Sequence, residues 1–301
     1  MIAARQSILM CPPDHYGVDY VINPWMQDHF GRTDRALARR QWDDLRRVLS
    51  AGAEVVLVEA QPGLPDMVFT ANAGMVRGNV AVVSRFRSPQ RQGEEPFFRA
   101  WFEHNGFSVA PWPKEVFFEG AGDALVDLDR DLIWSGYGFR SDVAAARLLE
   151  KTFDRESIPI RLVDPRFYHL DTCLCPLTGG WLMYYPPAFD AASLEQIGRR
   201  VADEKRIAVG EADALQFACN AVELDGHVIL NGASDELQAR LRAAGFTPVP
   251  TRLSEFLKAG GTAKCLTLKL REMDRSEMPR LGELPYHSQI PDKLRGREPD
   301  K

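Results

Sequence analysis

The chain has 301 residues, of which 45% are apolar and 26% are charged, a composition typical of a soluble globular protein with a substantial core. The formal net charge of −5 disfavours nucleic acid as the main partner, no apolar run is long enough to span a membrane, and no N-terminal stretch resembles a signal peptide. The five cysteines, an odd number, do not form a disulfide pattern, and we therefore expect a cytoplasmic protein with reduced thiols.

The predicted elements begin with a helix and a strand that precede a series of repeats. Residues 33–52 carry apolar side chains at helical spacing, and the run EVVLVEA at 54–60 is typical of a strand. Short strand-like motifs then begin near Phe69, Glu119, His169, Cys219 and Cys265. Their spacing of roughly 50 residues lies in the range of repeat proteins.

The intervals between these motifs have similar contents. After the motif near Glu119 come a turn and a second apolar strand at 132–136, a helical stretch at 142–153 and a short strand at 158–164. The unit is therefore a hairpin, a helix and a strand, repeated about five times. Such units are expected to surround a common axis with the helices outside, which brings the motif starts together at the centre. Evenly sized α/β units in an open sheet are the alternative.

Two motifs supply the side chains that nucleophilic catalysis needs. Cys265 in GGTAKCLTL follows two glycines and precedes an apolar strand, a typical place for an accessible nucleophile, although a structural thiol is the common role of a lone cysteine. His169 and Asp171 share a face if their segment is a strand, because side chains at i and i+2 point the same way. A cysteine with a distant histidine is the minimum for a thiolate nucleophile with a general acid/base, and a structural histidine is the alternative.

Polar residues also occupy the other motif starts. Glu119 and Asp123 lie between the apolar runs VFF and ALV, so we expect them to be buried and to need hydrogen-bond partners. A cationic substrate group is one candidate partner, and the backbone amides of the glycine-rich loop are another. Asn72 in FTANAG is, by itself, more typical of a tight turn than of a substrate contact.

A metal site was considered at Cys173 and Cys175, which form a C-x-C pattern near His169 and Asp171. Structural zinc sites usually combine two ligand pairs with wider spacing, and the sequence offers no second pair and no histidine-rich tract. The sequence therefore predicts no metal.

Five ordered motifs resemble one protein family. FTAN at 69–72, EGAGD at 119–123, GYGFRS at 136–141, HLDT at 169–172 and GGTAKC at 260–265 are similar to motifs of the guanidine-modifying superfamily. That superfamily has the five-bladed α/β propeller (pentein) fold and includes arginine deiminases, dimethylarginine hydrolases, amidinotransferases and arginine dihydrolases. The resemblance extends from CPPDHYGVDYVINPWM at 11–26 to CLTLKL at 265–270 and implies a five-bladed ββαβ propeller with a central active site.

The resemblance also implies roles for individual residues. Cys265 would be the covalent nucleophile and His169 the general acid/base, while Glu119 and Asp171 would hold the guanidinium nitrogens, with Asp123 in a supporting position. Arg91 and Arg140 match the arginines that bind the substrate carboxylate, and Asn23 matches a further substrate contact. Because a thiolate and carboxylates suffice for attack on a guanidinium, neither a metal nor an organic cofactor is expected.

The sequence departs from the deiminase pattern at Asn72, which we count with Cys265, His169 and Glu119 as a catalytic residue. Deiminases and dimethylarginine hydrolases generally have aspartate there. Asparagine keeps the shape but offers an NH₂ donor, which can bind the oxygen of a neutral ureido group. FTANAG resembles the arginine dihydrolases, which convert arginine to ornithine, carbon dioxide and two ammonia. We therefore expect an arginine dihydrolase that forms a covalent cysteine intermediate.

Other functions and the domain bounds can also be stated from the sequence. A dimethylarginine hydrolase, an arginine deiminase or an amidinotransferase is the alternative enzyme, and a non-catalytic binding protein is the alternative from another class. We expect one catalytic domain over 1–301 with a partly irregular C-terminal extension at 271–301. The expected partner is a small guanidino substrate rather than nucleic acid or a membrane, and a homo-oligomer is left open. The cyanobacterial arginine dihydrolases that the N-terminal segment resembles carry a large additional C-terminal domain.

Overall fold

The structure is a computed structural model that describes residues 6–271. Within this range the strands are β1 (Ser7–Met10), β2 (Glu54–Leu57), β3 (Gly74–Arg77), β4 (Val80–Val83), β5 (Ser108–Val109), β6 (Ala124–Asp127), β7 (Leu132–Tyr137), β8 (Glu156–Arg161), β9 (Leu174–Leu177), β10 (Trp181–Tyr184), β11 (Arg206–Ala208), β12 (Val222–Leu224), β13 (His227–Leu230), β14 (Thr247–Pro250) and β15 (Leu268–Arg271). The helices are α1 (Arg35–Gly52), α2 (Pro89–Gln92), α3 (Glu95–His104), α4 (Ala144–Phe153), α5 (Ala191–Arg200), α6 (Glu211–Ala214), α7 (Asp235–Ala243) and α8 (Ser254–Leu257).

The strands form five sheets of three strands each, and all five sheets have the same topology. The orders are β3-β4-β5, β6-β7-β8, β9-β10-β11, β12-β13-β14 and β15-β1-β2. In each sheet the middle strand pairs antiparallel with the first strand and parallel with the third. The last sheet joins the two ends of the described chain, since β15 pairs with β1.

Local chemistry explains why each unit folds this way. A parallel pair needs a crossover connection, and α1, α3, α4, α5 and α7 supply it between the second and third strands of the five sheets. The tight hairpins need left-handed backbone, which Gly78 (φ 59°) and Gly226 (φ 76°) provide. Helix starts are fixed by side-chain caps, such as Asp34, which accepts a hydrogen bond from the Leu37 amide at 2.9 Å.

Apolar faces of the helices bury against the sheets. On α1, Trp42, Leu45 and Leu49 are fully buried, and Trp134 of β7 is buried in another part of the core. Burying such side chains stabilises the fold by about 1.5–3 kcal/mol each. No helix between residues 6 and 271 has the length and apolar content that crossing a membrane requires.

The segments that precede the first strand of each sheet meet one another. Hydrogen bonds link each of them to its neighbours around a closed circuit, which we call the axial ring. Its five links are Ala71 N–H to the Cys265 carbonyl (3.0 Å), Cys265 N–H to Asn220 Oδ1 (3.2 Å), Asn220 Nδ2 to the Asp171 carbonyl (3.0 Å), Leu170 N–H to Asp123 Oδ1 (3.0 Å) and Asn72 Nδ2 to the Glu119 carbonyl (2.9 Å).

The prediction of five ββαβ units around an axis is confirmed, and the open-sheet alternative is wrong because the strands divide into five separate sheets. The predicted repeat motif near Cys219 begins three residues before β12, where the strand starts at Val222. The C-terminal extension predicted at 271–301 lies, apart from Arg271, outside the described residues.

The closing strand β15 allows a test of how much the fold depends on the pairing that joins the two ends of the described chain. Leu268 is 2% exposed and pairs with Leu9 of β1, so Leu268→Ala is expected to lower the free energy of unfolding by about 2–5 kcal/mol. Urea denaturation followed by circular dichroism measures this change. Arg271→Ala, on the exposed end of the same strand, is the matched control and should change stability by less than about 0.5 kcal/mol.

Candidate active site

A small, tightly lined cavity lies where the axial ring closes. Six of the nine residues predicted from the sequence line it: Asn23, Asn72, Arg91, Arg140, His169 and Cys265. The other three are buried: Glu119 and Asp171 contact His169 and Cys265 of this wall, and Asp123 accepts from the Leu170 amide next to His169.

Cys265 lies three residues before β15 and is 3% exposed. Its Sγ is 3.3 Å from Asp171 Oδ2 and 3.1 Å from Asn220 Nδ2. Burial and the Asp171 carboxylate raise the pKa of the Cys265 thiol, while the Asn220 amide opposes them. The nearby Gly261 is required by space, because a Cβ there would be 2.6 Å from the ring of Phe69.

His169 lines the same cavity as Cys265 and belongs to a hydrogen-bonded network with Glu119 and Arg140. Its Nε2 is 2.8 Å from Glu119 Oε2, which also accepts a hydrogen bond from Arg140 Nη1 at 3.2 Å. Burial favours the neutral form of Glu119, but Arg140 and the bond to His169 hold the pKa of Glu119 below its ordinary value. Glu119 is therefore an ionised group that orients the imidazole at neutral pH.

Asp171 and Asp123 have different environments although both are fully buried. Asp171 Oδ2 contacts the Cys265 sulfur, whereas its Oδ1 has no hydrogen-bond partner, and burial raises the pKa of its carboxyl group. Asp123 accepts hydrogen bonds from Ser141 Oγ (2.6 Å) and the Leu170 amide (3.0 Å), and burial raises its pKa to about 6. Asp123 thus fixes the backbone beside His169, while Asp171 has an unused acceptor.

Asn72 is held by neighbours on both sides of its carboxamide. Its Oδ1 accepts a hydrogen bond from Arg91 Nη1 at 2.8 Å, and its Nδ2 donates to the Glu119 carbonyl at 2.9 Å. Gly122 makes this approach feasible, because a Cβ there would be 2.4 Å from Asn72 Nδ2 and 3.4 Å from the His169 ring. The turn interpretation also holds in part, since Asn72 lies in the short 3-10 turn Thr70–Ala73.

Arg91 lies in the cavity wall with most of its donors already used. It forms a two-pronged ion pair with Glu94, at 2.8 Å for each contact, and also donates to Asn72 and to the Asp66 carbonyl. Such a pair is geometrically rigid. Its predicted contact with a substrate carboxylate stays a prediction, while its contact with Asn72 is a feature that the sequence did not indicate.

The loop at residues 22–26 closes one side of the cavity through two of the predicted residues. Asn23 Oδ1 caps the turn by accepting from the Trp25 amide (2.9 Å), and its Nδ2 donates to the Ala259 carbonyl (3.0 Å). Arg140 Nη2 donates to the Ile22 carbonyl at 2.8 Å, and its guanidinium lies 4.8 Å from the ring centre of Tyr168. These contacts leave the substrate roles of Asn23 and Arg140 as predictions.

Three residues of the site were missed by the sequence interpretation. Asp66 is 2% exposed, lines the cavity and has an Oδ1 without a partner, while its Oδ2 accepts from Tyr20. Tyr168 lines the cavity beside His169, and Asn220 contacts the Cys265 sulfur. Asn220 had a detectable signal, because it lies two residues before its strand, as Asn72 does. The signal at Asp66 was a carboxylate in the otherwise apolar segment PDMVF.

The cysteines outside the cavity, including Cys173 and Cys175, are buried free thiols whose pKa values are raised by burial. Across residues 6–271 no three His, Cys, Asp or Glu side chains are grouped so that they could hold a metal ion.

Comparison with known proteins places the chain in a family. Residues 21–272 match the family model described as N,N dimethylarginine dimethylhydrolase, eukaryotic. The chain belongs to this family. The dimethylarginine dimethylaminohydrolase of Mycobacterium tuberculosis is 44% identical over 87% of this chain and 84% of its own length.

Relatives of higher identity come from cyanobacteria. The bifunctional arginine dihydrolase/ornithine cyclodeaminase AgrE of Nostoc sp. is 54% identical over 92% of this chain but only 39% of its own length. The chain therefore spans about two fifths of that protein. A crystal structure of the N-terminal domain of ArgZ, an arginine dihydrolase from the ornithine-ammonia cycle in cyanobacteria, was solved as a Cys-to-Ser mutant bound to substrate. It superposes with a TM-score of 0.88 at 54% identity, covering 89% of this chain and 98% of that one.

The contact between Asp171 and Cys265 gives a test of the electrostatics of this family member. Asp171→Asn removes a charge that raises the pKa of the Cys265 thiol, so the thiolate fraction at a fixed neutral pH rises. Alkylation of Cys265 by iodoacetamide, followed by mass spectrometry, is expected to be faster, roughly tenfold for each unit by which the pKa falls.

The control for this measurement is Asp127→Asn. Asp127 is 2% exposed and accepts hydrogen bonds from Arg130 and Trp134. Asp127→Asn therefore also removes a buried negative charge, but at a position outside the cavity. An unchanged or slower alkylation rate in Asp171→Asn, with Asp127→Asn equal to the parent protein, would contradict the assigned electrostatics.

Proposed function

We propose that this protein is an arginine dihydrolase, which converts arginine and two water molecules to ornithine, carbon dioxide and two ammonia. The observation that carries the proposal is the neutral carboxamide of Asn72, held next to His169 and Glu119 in the cavity that contains Cys265. The high identity to the cyanobacterial arginine dihydrolases supports it. Because the chain spans only part of those proteins, the proposal concerns the hydrolase reaction alone.

The two unpartnered carboxylate oxygens support a substrate with two cationic groups. Asp171 Oδ1 is placed beside the nucleophile, where a guanidinium can donate to it. Asp66 Oδ1 is at a second position in the cavity wall, where an α-ammonium group can donate. A buried carboxylate oxygen without a partner is unfavourable, so a ligand that supplies both donors gains binding energy from sites that are already arranged.

The first half of the reaction follows from the groups around Cys265. The guanidinium neutralises Asp171 and so lowers the pKa of the thiol, His169 takes the thiol proton, and the thiolate attacks the central guanidino carbon. His169 donates a proton to the departing nitrogen, which leaves as ammonia, and a thiouronium adduct remains on the sulfur. His169 then takes a proton from water, the resulting hydroxide attacks the adduct, and the thiolate departs from a ureido product.

The second half requires the enzyme to retain and attack this ureido group. An aspartate at position 72 would repel the ureido oxygen and favour release of citrulline. The NH₂ group of Asn72 has a second hydrogen beyond the one donated to Glu119, and it can donate this hydrogen to the ureido oxygen. A donor at that oxygen also stabilises the negative charge that develops when the thiolate attacks the carbonyl carbon.

The remaining steps repeat the same proton transfers. The second attack expels ammonia, protonated by His169, and leaves a thiocarbamate on Cys265. Water activated by His169 attacks this carbonyl carbon, the thiolate departs, and the carbamate of ornithine loses carbon dioxide. The free thiol and imidazole are thereby restored without a redox step.

Hydrolysis of dimethylarginine is the second candidate function. It is favoured by the family model that covers residues 21–272 and by the Mycobacterium tuberculosis relative. The chemistry would stop after the first half, with dimethylamine instead of ammonia as the leaving group.

The product ratio separates these candidates. Purified protein incubated with arginine is expected to yield two ammonia for each ornithine, with no accumulating citrulline, as measured by amino-acid analysis and an ammonia assay. Citrulline as the end product would identify a deiminase, and dimethylamine release from dimethylarginine without ornithine formation from arginine would favour the second candidate. Cys265→Ser, which keeps the size of the side chain but lacks the thiolate, should be inactive in every assay.

Replacing Asn72 tests the residue that distinguishes one hydrolysis from two. Asn72→Asp is expected to convert the main product from ornithine to citrulline, because the carboxylate repels the ureido oxygen while the guanidinium is still attracted. The ornithine-to-citrulline ratio, determined by chromatography at equal arginine consumption, measures the change. An Asn72→Asp protein that consumes arginine and still forms only ornithine would contradict the role of this carboxamide.

A further inference from the structure

Asn220 is a fully buried side chain next to Cys265, and none of the proposed reaction steps uses it. It lies two residues before β12, and its carboxamide forms five hydrogen bonds. Nδ2 donates to Cys265 Sγ (3.1 Å) and to the Asp171 carbonyl (3.0 Å), and Oδ1 accepts from the Thr262 amide (3.0 Å), the Thr262 hydroxyl (2.9 Å) and the Cys265 amide (3.2 Å).

These partners fix which end of the carboxamide faces the sulfur. Two backbone amides can only donate, so the atom that accepts from them is the oxygen, and the NH₂ group must then point toward Cys265 and Asp171. The backbone of the GGTAKC turn is thus bound to the oxygen end of the same side chain that donates to its sulfur. Asn220 therefore fixes the position of Cys265 and also directs an N–H donor at its Sγ.

We propose that Asn220 is a positioning residue that fixes Cys265 and stabilises its thiolate through the N–H bond to Sγ. This inference rests on the proposed function only in that Cys265 is taken as the nucleophile. An N–H donor favours the charged form of the group that accepts from it, and hydrogen bonds to charged groups are stronger than those between neutral groups.

The charged and titratable groups around Cys265 make such a donor necessary. Asp171 is nearest, at 3.3 Å, and its carboxylate opposes thiolate formation. The other groups near the sulfur are His169, Tyr168, Arg91, Arg140 and Asp66 in the cavity wall and Lys264 next in sequence. Asn220 is not titratable, and it donates directly to Sγ.

The donor also has a function in each half of the proposed reaction. The sulfur begins both halves as an attacking thiolate and ends both as a leaving group, so a dihydrolase forms the thiolate twice for each arginine. A bond that stabilises the thiolate promotes its departure from the thiouronium and from the thiocarbamate adduct. Loss of the bond is therefore expected to slow both halves.

Asn220→Asp is the sharpest substitution, because it keeps the size and the acceptor oxygen but replaces the donor to Sγ by an oxygen. We expect the apparent pKa of Cys265 to rise by roughly one to two units, which lowers the thiolate fraction at a given pH roughly 10- to 100-fold. The ultraviolet absorbance of the thiolate, titrated against pH with the matching Cys265→Ser protein subtracted, measures protonation directly and is insensitive to reagent access.

Asn231→Asp is the matched control. Asn231 is a buried asparagine that donates to the Gln216 carbonyl (2.9 Å) and accepts from the Leu253 amide (2.7 Å), with no contact to Cys265. Its titration curve should equal that of the parent protein. A curve for Asn220→Asp that also equals that of the parent protein would overturn the proposal.

Thr262→Val gives a second, milder test if Asn220→Asp does not fold. It removes one donor to Asn220 Oδ1 and leaves the bond to Sγ, so the thiolate titration should shift upward by less than in Asn220→Asp. No shift in Thr262→Val would then overturn the proposal. These titrations need no substrate, so they remain decisive if the ornithine and ammonia assay fails and the dihydrolase assignment is abandoned.

Discussion

The axial ring of hydrogen bonds is the constraint on which the site depends. Each of the five units contributes one segment to it, and each segment is hydrogen-bonded to the segments of its two neighbours. The donor and acceptor residues of the five links are Asn72 and Glu119, Leu170 and Asp123, Asn220 and Asp171, Cys265 and Asn220, and Ala71 and Cys265. Because the circuit is closed, no unit can shift along the axis without breaking bonds on two sides. Cys265 is thereby fixed within hydrogen-bond distance of Asp171, and His169 within hydrogen-bond distance of Glu119, although these residues are far apart in sequence. Such fixed geometry is what the proposed chemistry requires.

Charge is distributed unequally around this ring. Glu119 forms an ion pair with Arg140 and a hydrogen bond with His169, and Arg91 forms an ion pair with Glu94, so Glu119 and Arg91 both have buried partners. Asp66 and Asp171 instead each retain an acceptor oxygen without a partner in the described part of the chain. Burying such oxygens costs folding free energy, and the cost is offset when a cationic ligand binds. If the proposed dicationic substrate binds at these two carboxylates, its affinity is gained at the expense of the stability of the ligand-free fold.

The spacing of the motifs was sufficient to predict the architecture and to group Asn72, Glu119, His169 and Cys265, because equal positions in repeated units reach equal positions on the axis. The same reasoning could have extended to Asn220. It could not reach Asp66, which precedes the first repeat and joins the cavity only through the fold of the loop that follows β2. It also could not show that Arg91 is bound by Glu94, since an i,i+3 pair of opposite charges is usually a weak surface contact. Which oxygen of a buried carboxylate lacks a partner depends on distances of a few tenths of an ångström, and no sequence pattern encodes those.

The pairing of β15 with β1 has a consequence for the order in which the molecule is made. Cys265 lies three residues before β15, the strand that is synthesised last among the described residues, and β15 pairs with β1, the first strand of the same range. A chain synthesised only as far as β14 therefore has most residues of the cavity wall but lacks Cys265 and the closing contact. This contact joins residues at opposite ends of the sequence, and such long-range contacts form late in folding. Cys265 thus joins His169 in the cavity wall only once the chain has been synthesised as far as β15 and the circle of sheets has closed.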